Sequence, residues 1–136
     1  MLAIDTNIAI RFLTLDHEEL ARRALEILSN NEVFVPVTVI LEAEWVLRDA
    51  YEMSRTEVVG ALRRLCGLER VTVGAAEAVG LALDYAERGL DLADALHLVQ
   101  ARECEAFVTF DKPLVRKAKG LSDTPVRSGR GAPGAD

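Results

Sequence analysis

Four short apolar segments alternate along the chain with longer segments of helical periodicity. The segments predict strands at Leu2 to Asp5, Val33 to Val35, Arg70 to Val73 and Ala106 to Phe110. One or two helices are predicted between consecutive strands, because apolar residues recur there at helical spacing. Strands separated by helices usually form a parallel sheet that is covered on both faces. The sequence therefore predicts the α/β class.

The length of 136 residues suits one well-packed domain. From about Gly120 the sequence is rich in Gly, Pro, Ser and Ala, and this composition predicts a flexible tail over residues 120–136. No apolar run approaches the roughly 20 residues that a membrane span requires. The N-terminus also lacks the pattern of a signal peptide. We expect a cytoplasmic protein that does not associate with a membrane.

The formal net charge of −6 argues against binding of nucleic acid over the whole surface, because phosphate contacts require Lys and Arg. A local basic rim remains compatible with this charge. The residues that would form it lie near the two ends of the chain: Arg11, Arg22, Arg23, Lys112, Arg116, Lys117 and Lys119.

Two segments have the pattern of a capping box, in which a polar residue caps a helix and an acid three residues later reaches back. The segment from Asp16 to Glu19 predicts a helix that ends near Leu28. The segment from Ser54 to Glu57 predicts a second helix up to about Leu68.

Two predicted strands end in a carboxylate, Asp5 after LAI and Asp111 after FVTF. In open α/β sheets, ligand sites lie beyond the carboxyl ends of the strands. Glu42 and Asp94 follow in early turns of predicted helices, which would bring them near the same edge. Carboxylates gathered in one place repel each other, whereas Mg²⁺ or Mn²⁺ prefers such oxygen ligands. The sequence therefore predicts a divalent-metal site that is suited to phosphodiester hydrolysis.

Each acid also has a local alternative. Asp5 can cap a helix, and Asp111 can belong to an ordinary turn. Asp94 can interact with the dipole of a helix that Asp91 caps. Glu42 is harder to explain locally, because acids seldom lie among Val, Ile and Leu without a partner. All four explanations together are less probable than one shared role.

The segments that carry these acids resemble those of PIN-domain ribonucleases of the VapC toxin type. The matching segments are IDTNIAIRFL, VPVTVILEAEWVL, GLDLADALHLVQAR and FVTFDKPL. The resemblance covers residues 1–119 and implies a three-layer α/β/α PIN-like fold with a small, mainly parallel central sheet. It also implies that residues 1–119 form the nuclease domain.

The resemblance implies a role for each matching residue. The metal-binding and catalytic acids fall on Asp5, Glu42, Asp94 and Asp111, and the ion would be Mg²⁺ or Mn²⁺. Supporting residues fall on the following positions: Thr6, Asn7, Thr109 and, as an additional outer acid, Asp91. Asn7 and Thr109 are expected to hydrogen-bond the carboxylates or a metal-bound water.

The expected partners are RNA as substrate, a second copy of the chain in a homodimer and a small VapB-like antitoxin that blocks the acidic site. We expect Trp45 to lie in the core or in the dimer interface. The alternative function is a non-catalytic RNA-binding or interaction module on a PIN scaffold. A phosphotransfer enzyme of the haloacid-dehalogenase type is not favoured, because Asn7 stands where it needs a second Asp.

Overall fold

The computed structural model describes residues 1–130, and within them it contains seven helices and five strands. In chain order these elements are β1 (Leu2–Ala3), α1 (Thr6–Thr14), α2 (Glu18–Asn30), β2 (Val33–Val35), α3 (Val37–Asp49), α4 (Arg55–Cys66), β3 (Val71–Val73), α5 (Ala76–Glu87), α6 (Leu92–Gln100), β4 (Phe107–Thr109), α7 (Lys112–Ala118) and β5 (Val126–Ser128). No helix in this part of the chain has both the length and the apolar character that a membrane span requires.

The chain divides into two compact units, Met1–Val79 and Gly80–Asp136, and the boundary falls inside α5. Every strand pairing among residues 1–130 is parallel. The predicted α/β class is therefore confirmed. The strands form a three-stranded sheet in the first unit and a two-stranded sheet in the second.

The first unit contains the sheet β1-β2-β3, with Leu2 opposite Val33 and Val33 opposite Val71. The central strand β2 is apolar on both faces, as expected for a parallel strand covered by helices. Helix α1 packs on α2 and α3, and α3 packs on α4. The largest fully buried side chains of this unit come from α3, α4, β2 and the start of α5: Ile40, Leu47, Val58, Leu62, Leu65, Val33, Val35 and Val79.

The second unit contains the parallel pair β4-β5, with Phe107 opposite Val126 and Thr109 opposite Ser128. Helix α7 connects the two strands and packs on both. Strand β5 lies in the segment for which the sequence predicted a flexible tail. Thr124, just before β5, is buried. Residues 131–136 of the predicted tail lie outside the described residues.

The two predicted capping boxes have different outcomes. Ser54 forms its box with Glu57 at the start of α4, as predicted. The prediction for Asp16 was wrong, because His17 caps α2 and accepts from the Leu20 amide at 3.2 Å. The Asp16 carboxylate turns away from α2 and accepts from Tyr51 Oη at 2.5 Å.

Candidate functional site

Asp5 lies one residue before α1 and caps that helix. Its carboxylate accepts from the Ile8 amide at 3.1 Å. The side chain is exposed, so capping leaves its remaining oxygen lone pairs open to solvent or a ligand. The cap also directs the carboxylate along the end of α1, where the positive end of the helix dipole favours a negative charge.

Glu42 lies on the exposed side of α3, and its carboxylate accepts a hydrogen bond from the Thr6 hydroxyl at the start of α1. The inference that Glu42 lies among buried apolar residues was wrong. The acid of this segment that is largely buried is Glu44, with a side-chain exposure of 12%. Glu44 forms an ion pair with Arg48 at 3.2 Å, one helical turn away.

Asn7 has a different environment from its neighbour Thr6. Its side chain is exposed and lines a groove between α1 and α2 with a volume of about 340 Å³. Ile8, Leu20 and Ile27 form the apolar part of this groove. The hydrogen bond that the sequence analysis expected from Asn7 to a carboxylate is made by the Thr6 hydroxyl.

Asp94 lies in the first turn of α6, and its amide donates to the cap residue Asp91 at 3.2 Å. Burial raises the pKa of the Asp94 carboxyl, and the negative charges of Asp91 and Asp111 raise it further. His97 and Lys117 lower this pKa, without reversing its upward direction. The carboxylates of the second unit are therefore close enough to disfavour ionisation of Asp94.

Asp111 follows β4 and caps α7 by accepting from the Leu114 amide at 3.1 Å. Its own amide donates to the Thr109 hydroxyl at 3.0 Å. Thr109 therefore fixes the backbone at Asp111, and it does so without bonding the carboxylate. The carboxylate of Asp111 is exposed beyond the strand.

Lys117 has a more specific environment than the sequence suggested. In the sequence it is one of several basic residues near the end of the chain, whereas in the fold its charge lowers the pKa of Asp94, as the smallest of the causes that act on this carboxyl. Helix α7 brings the two together, because it starts at Asp111 and carries Lys117 in its last turn. Only this topology, and no spacing along the chain, indicates the interaction.

The four predicted metal ligands divide equally between the two units, with Asp5 and Glu42 in the first and Asp94 and Asp111 in the second. Among residues 1–130 no group of three or more His, Cys, Asp and Glu side chains is placed to hold a metal ion. The donors nevertheless fit Mg²⁺ or Mn²⁺ in kind, since both ions prefer carboxylate oxygens. The repulsion around Asp94 is also the type of cost that a bound cation relieves.

A model of the PIN domain family matches residues 2–120, which include all four of the predicted acidic ligands. No curated protein matches the chain. The match covers most of the sequence, and the predicted PIN-like α/β fold is confirmed.

Proposed function

The chain belongs to the PIN domain family, and we propose that it is a metal-dependent endoribonuclease that hydrolyses phosphodiester bonds in RNA. PIN domains are generally metal-dependent nucleases. In this proposal the residues that hold Mg²⁺ or Mn²⁺ are Asp5, Glu42, Asp94 and Asp111. A divalent cation supplies two things to such a reaction: a bound water of lowered pKa, and stabilisation of the leaving oxygen.

The observation that carries this proposal is the family match over residues 2–120, because this range includes all four acids. The pKa of Asp94 supports it. Burial, the first cause, raises this pKa, and the charges of Asp91 and Asp111 raise it further against the opposing effects of His97 and Lys117. A carboxyl that is partly buried beside other acids is a candidate for a functional site.

The neighbouring residues support the four acids in distinct ways. Thr6 holds the Glu42 carboxylate by a hydrogen bond, which restricts the directions in which its oxygens can bind a cation. Thr109 fixes the backbone of Asp111, and Asp91 caps the helix that carries Asp94. Asn7 is exposed beside Thr6, and we assign it to contact with RNA or with a bound water. These are positioning roles.

We further propose that the protein is a toxin of the VapC type, acts in the cytoplasm and is inhibited by a small VapB-like antitoxin. The support is the resemblance of its four acidic segments to that type. An antitoxin Arg placed among the carboxylates would substitute for the charge of the metal. Purification from the native host at natural expression should recover a small partner protein, and its release should restore cleavage. Recovery of the chain alone, active from the start, would contradict this part of the proposal.

A homodimer is also part of the proposal. Trp45 was expected in the core or in a dimer interface, and its exposure of 54% excludes the core and is compatible with an interface. Sedimentation equilibrium of the wild type should give the mass of two chains, and Trp45→Ala should shift the equilibrium towards one chain. A wild type that is monomeric at micromolar concentration would exclude the dimer.

The first test of the proposal is Mn²⁺ binding by calorimetry. We expect binding by the wild type, and a loss of at least tenfold in affinity for Asp94→Asn. Asp123→Asn is the matched control, because it removes an exposed acid of the same unit and should bind like the wild type. Equal binding by all three proteins would exclude the acidic site as proposed.

Asp5→Asn separates chemistry from folding. Asn caps helices about as well as Asp, so the variant keeps the cap of α1 and removes only the charge. We expect it to unfold at the wild-type temperature and to lose cleavage of tRNA and rRNA in Mg²⁺. Cleavage that survives in both Asp5→Asn and Asp94→Asn would contradict the ribonuclease proposal. RNA binding without any cleavage by the wild type would instead favour the non-catalytic module.

A further inference from the structure

Phe110 exposes 69% of its surface to solvent, although it directly precedes the candidate ligand Asp111. Val108, two residues earlier on β4, exposes 62%. Both side chains lie over Gly129, because a Cβ there would meet Phe110 Cε1 at 2.7 Å and Val108 Cγ1 at 3.3 Å, so the two side chains share one face of the β4-β5 pair. Two large apolar side chains that remain in water cost free energy that burial would recover. This face is therefore a candidate for a binding surface.

The structure fixes the Phe110 ring at this face. A Cβ on Gly129 would lie 2.7 Å from Phe110 Cε1 and 3.1 Å from Cδ1. The ring thus rests directly on the backbone that follows β5, in a space that only glycine leaves open. The backbone is held there, because the Gly129 amide donates to the Thr109 carbonyl at 2.8 Å.

Two Arg residues lie beside the ring. Val108 is opposite Arg127 in the register of the parallel strands, so the Arg127 side chain lies on the same face. Its guanidinium forms an ion pair with Glu105 at 3.6 Å, and an exposed pair of this kind is weak enough for a phosphate to replace the carboxylate. Arg130 Nε donates to the Phe110 carbonyl at 3.4 Å.

A flat ring with fixed orientation, open to solvent and beside Arg side chains, has the chemistry of a site for single-stranded nucleic acid. Bases stack on such rings, and phosphates bind the neighbouring cations. Phe110 directly precedes the candidate metal ligand Asp111, so an RNA strand that reaches Asp111 passes the ring. This continuity with the proposed site favours RNA over a second copy as the occupant.

We propose that Phe110 stacks on a base of single-stranded RNA, while Arg127 and Arg130 contact the phosphates of the same strand. The inference rests on the proposed ribonuclease function and specifies the form of its substrate, an unpaired nucleotide next to Asp111. Stacking on one aromatic ring tolerates all four bases, so Phe110 selects unpaired RNA without selecting a sequence.

The test is binding of a fluorescein-labelled, unstructured 12-nucleotide RNA, followed by anisotropy in EDTA so that no cleavage occurs. Phe110→Ala should weaken binding by about 5- to 150-fold, the range of single base–aromatic stacks. Leu25→Ala is the matched control, because Leu25 is an exposed apolar residue of α2 outside this face, and it should stay within about twofold of the wild type. Phe110→Trp should retain binding. The same RNA in a duplex should bind weakly and should not depend on Phe110.

Arg127→Gln tests the phosphate contact. The slope of log Kd against log salt should decrease by about 0.7, the value for one phosphate of a single strand. Equal effects of Phe110→Ala and Leu25→Ala, or no RNA binding by the wild type, would overturn the inference. Dissociation of a dimer by Phe110→Ala, with RNA binding unchanged, would overturn it in favour of a second copy.

Failure of this inference is distinguishable from failure of the proposed function. Phe110→Ala should keep the Mn²⁺ affinity of the wild type, because the ring is not a metal ligand. If metal-dependent cleavage does not depend on Phe110, the ribonuclease proposal is supported and the stacking site is excluded. If RNA binding depends on Phe110 but the protein neither binds metal nor cleaves RNA, the stacking site is supported and the ribonuclease proposal is excluded.

Discussion

Asp16 in the first unit and Asp94 in the second are both partly exposed acids near the start of a helix, but their surroundings are opposite. Asp16 accepts from Tyr51 Oη at 2.5 Å, and it also accepts from Thr14 and Arg11, each at 2.8 Å. These donors, Tyr51 first, lower the pKa of Asp16 to about 2. Asp94 is partly buried beside Asp91 and Asp111, and its pKa is raised.

The two acids therefore differ in how their ionisation affects the stability of the folded state. The charge of Asp16 is matched by donors within the first unit, so its ionisation favours the folded state. Burial and the charges of the acidic neighbours raise the pKa of Asp94, so its ionisation disfavours the folded state in the absence of a cation. Of the two acids, Asp94 is the one that we propose as a metal ligand.

The largest expected effect concerns Mn²⁺ and Asp94. Without Mn²⁺ the variant Asp94→Asn should be slightly more stable than the wild type, whereas with Mn²⁺ it should be less stable. At a Mn²⁺ concentration about 100 times the dissociation constant, binding should stabilise the wild type by about 2.7 kcal/mol. Asp94→Asn should gain little. Differential scanning fluorimetry with and without Mn²⁺ measures both melting temperatures. Equal stabilisation of the two proteins would mean that Asp94 is not a ligand.

Removal of a helix cap should have an effect of about 1 kcal/mol in either unit, but the role of charge should differ. Ser54→Ala removes an uncharged cap of α4 and should simply destabilise. Asp91→Ala removes the cap of α6, and the loss should be partly offset by weaker repulsion of Asp94. Asp91→Asn keeps the cap and should therefore be neutral or slightly stabilising. Urea unfolding in EDTA gives these differences. A large loss for Asp91→Asn would show that its charge is favourable.

In EDTA, Asp94→Asn should stabilise the protein at neutral pH by less than about 1 kcal/mol, because solvent screens a partly exposed charge. The positive end of α6 favours a carboxylate and reduces the gain further. Because the folded-state pKa of Asp94 is raised, the advantage of the variant should be absent at pH 3 and should develop as the pH rises through that pKa. Melting temperatures from pH 3 to 7 measure it. A wild type that is more stable at pH 7 would contradict the crowding of Asp94.

Asp16→Asn should show the opposite dependence on pH, and we expect the smallest net effect because the charge is exposed and screened. The folded-state pKa is lowered to about 2 from 3.8, so the stabilisation is complete above pH 4 and is lost as the pH falls towards 2. The wild type should lose more of its melting temperature over this interval than Asp16→Asn. Asp49→Asn, at the exposed end of α3, is the control. If the melting temperatures of the wild type and Asp16→Asn change in parallel with pH, the charge of Asp16 does not stabilise the fold, and Asp16 does not differ from Asp94 in this respect.

Local patterns in the sequence were sufficient for much of the fold. The strand from Val33 to Val35 was predicted with the bounds that the structure shows, because a short apolar run between turn residues has few alternatives. The capping box at Ser54 was also predicted correctly. In both cases the determining residues are close together in the chain.

Interactions between residues that are distant in the sequence were not predicted. Asp16 was assigned to a capping box, but Tyr51, 35 residues away, supplies a better donor. Strand β5 was not predicted, because it has only three residues and lies in a segment rich in Gly, Pro and Ser. Its sequence alone carries no strand signal, and the strand forms by pairing with β4.

The environment of Glu42 shows a different error. Its sequence neighbours are apolar, yet the buried positions of α3 are Val39, Ile40, Ala43 and Leu47. Glu42 lies off this stripe, so the period of the helix, and not adjacency in sequence, determines its exposure. Asp5 and Asp111 were proposed as ligands from the ends of predicted strands, and Glu42 and Asp94 from early turns of predicted helices; their role stays a prediction. Their electrostatic relations, such as that of Asp94 with Lys117, depend on topology and could not be read from spacing.

The pairing of β5 with β4 also bears on how the protein is prepared. A chain shortened to Gly120, where the family match ends, would lose the acceptor for the Phe107 amide, the Pro125 carbonyl at 2.8 Å. Strand β4 would then present unpaired N–H and C=O groups beside the exposed Val108 and Phe110. Unpaired strand edges of this kind form β-sheet hydrogen bonds with the same edge of other molecules. We therefore expect the shortened chain to aggregate, and expression of a soluble protein to require the residues through Arg130.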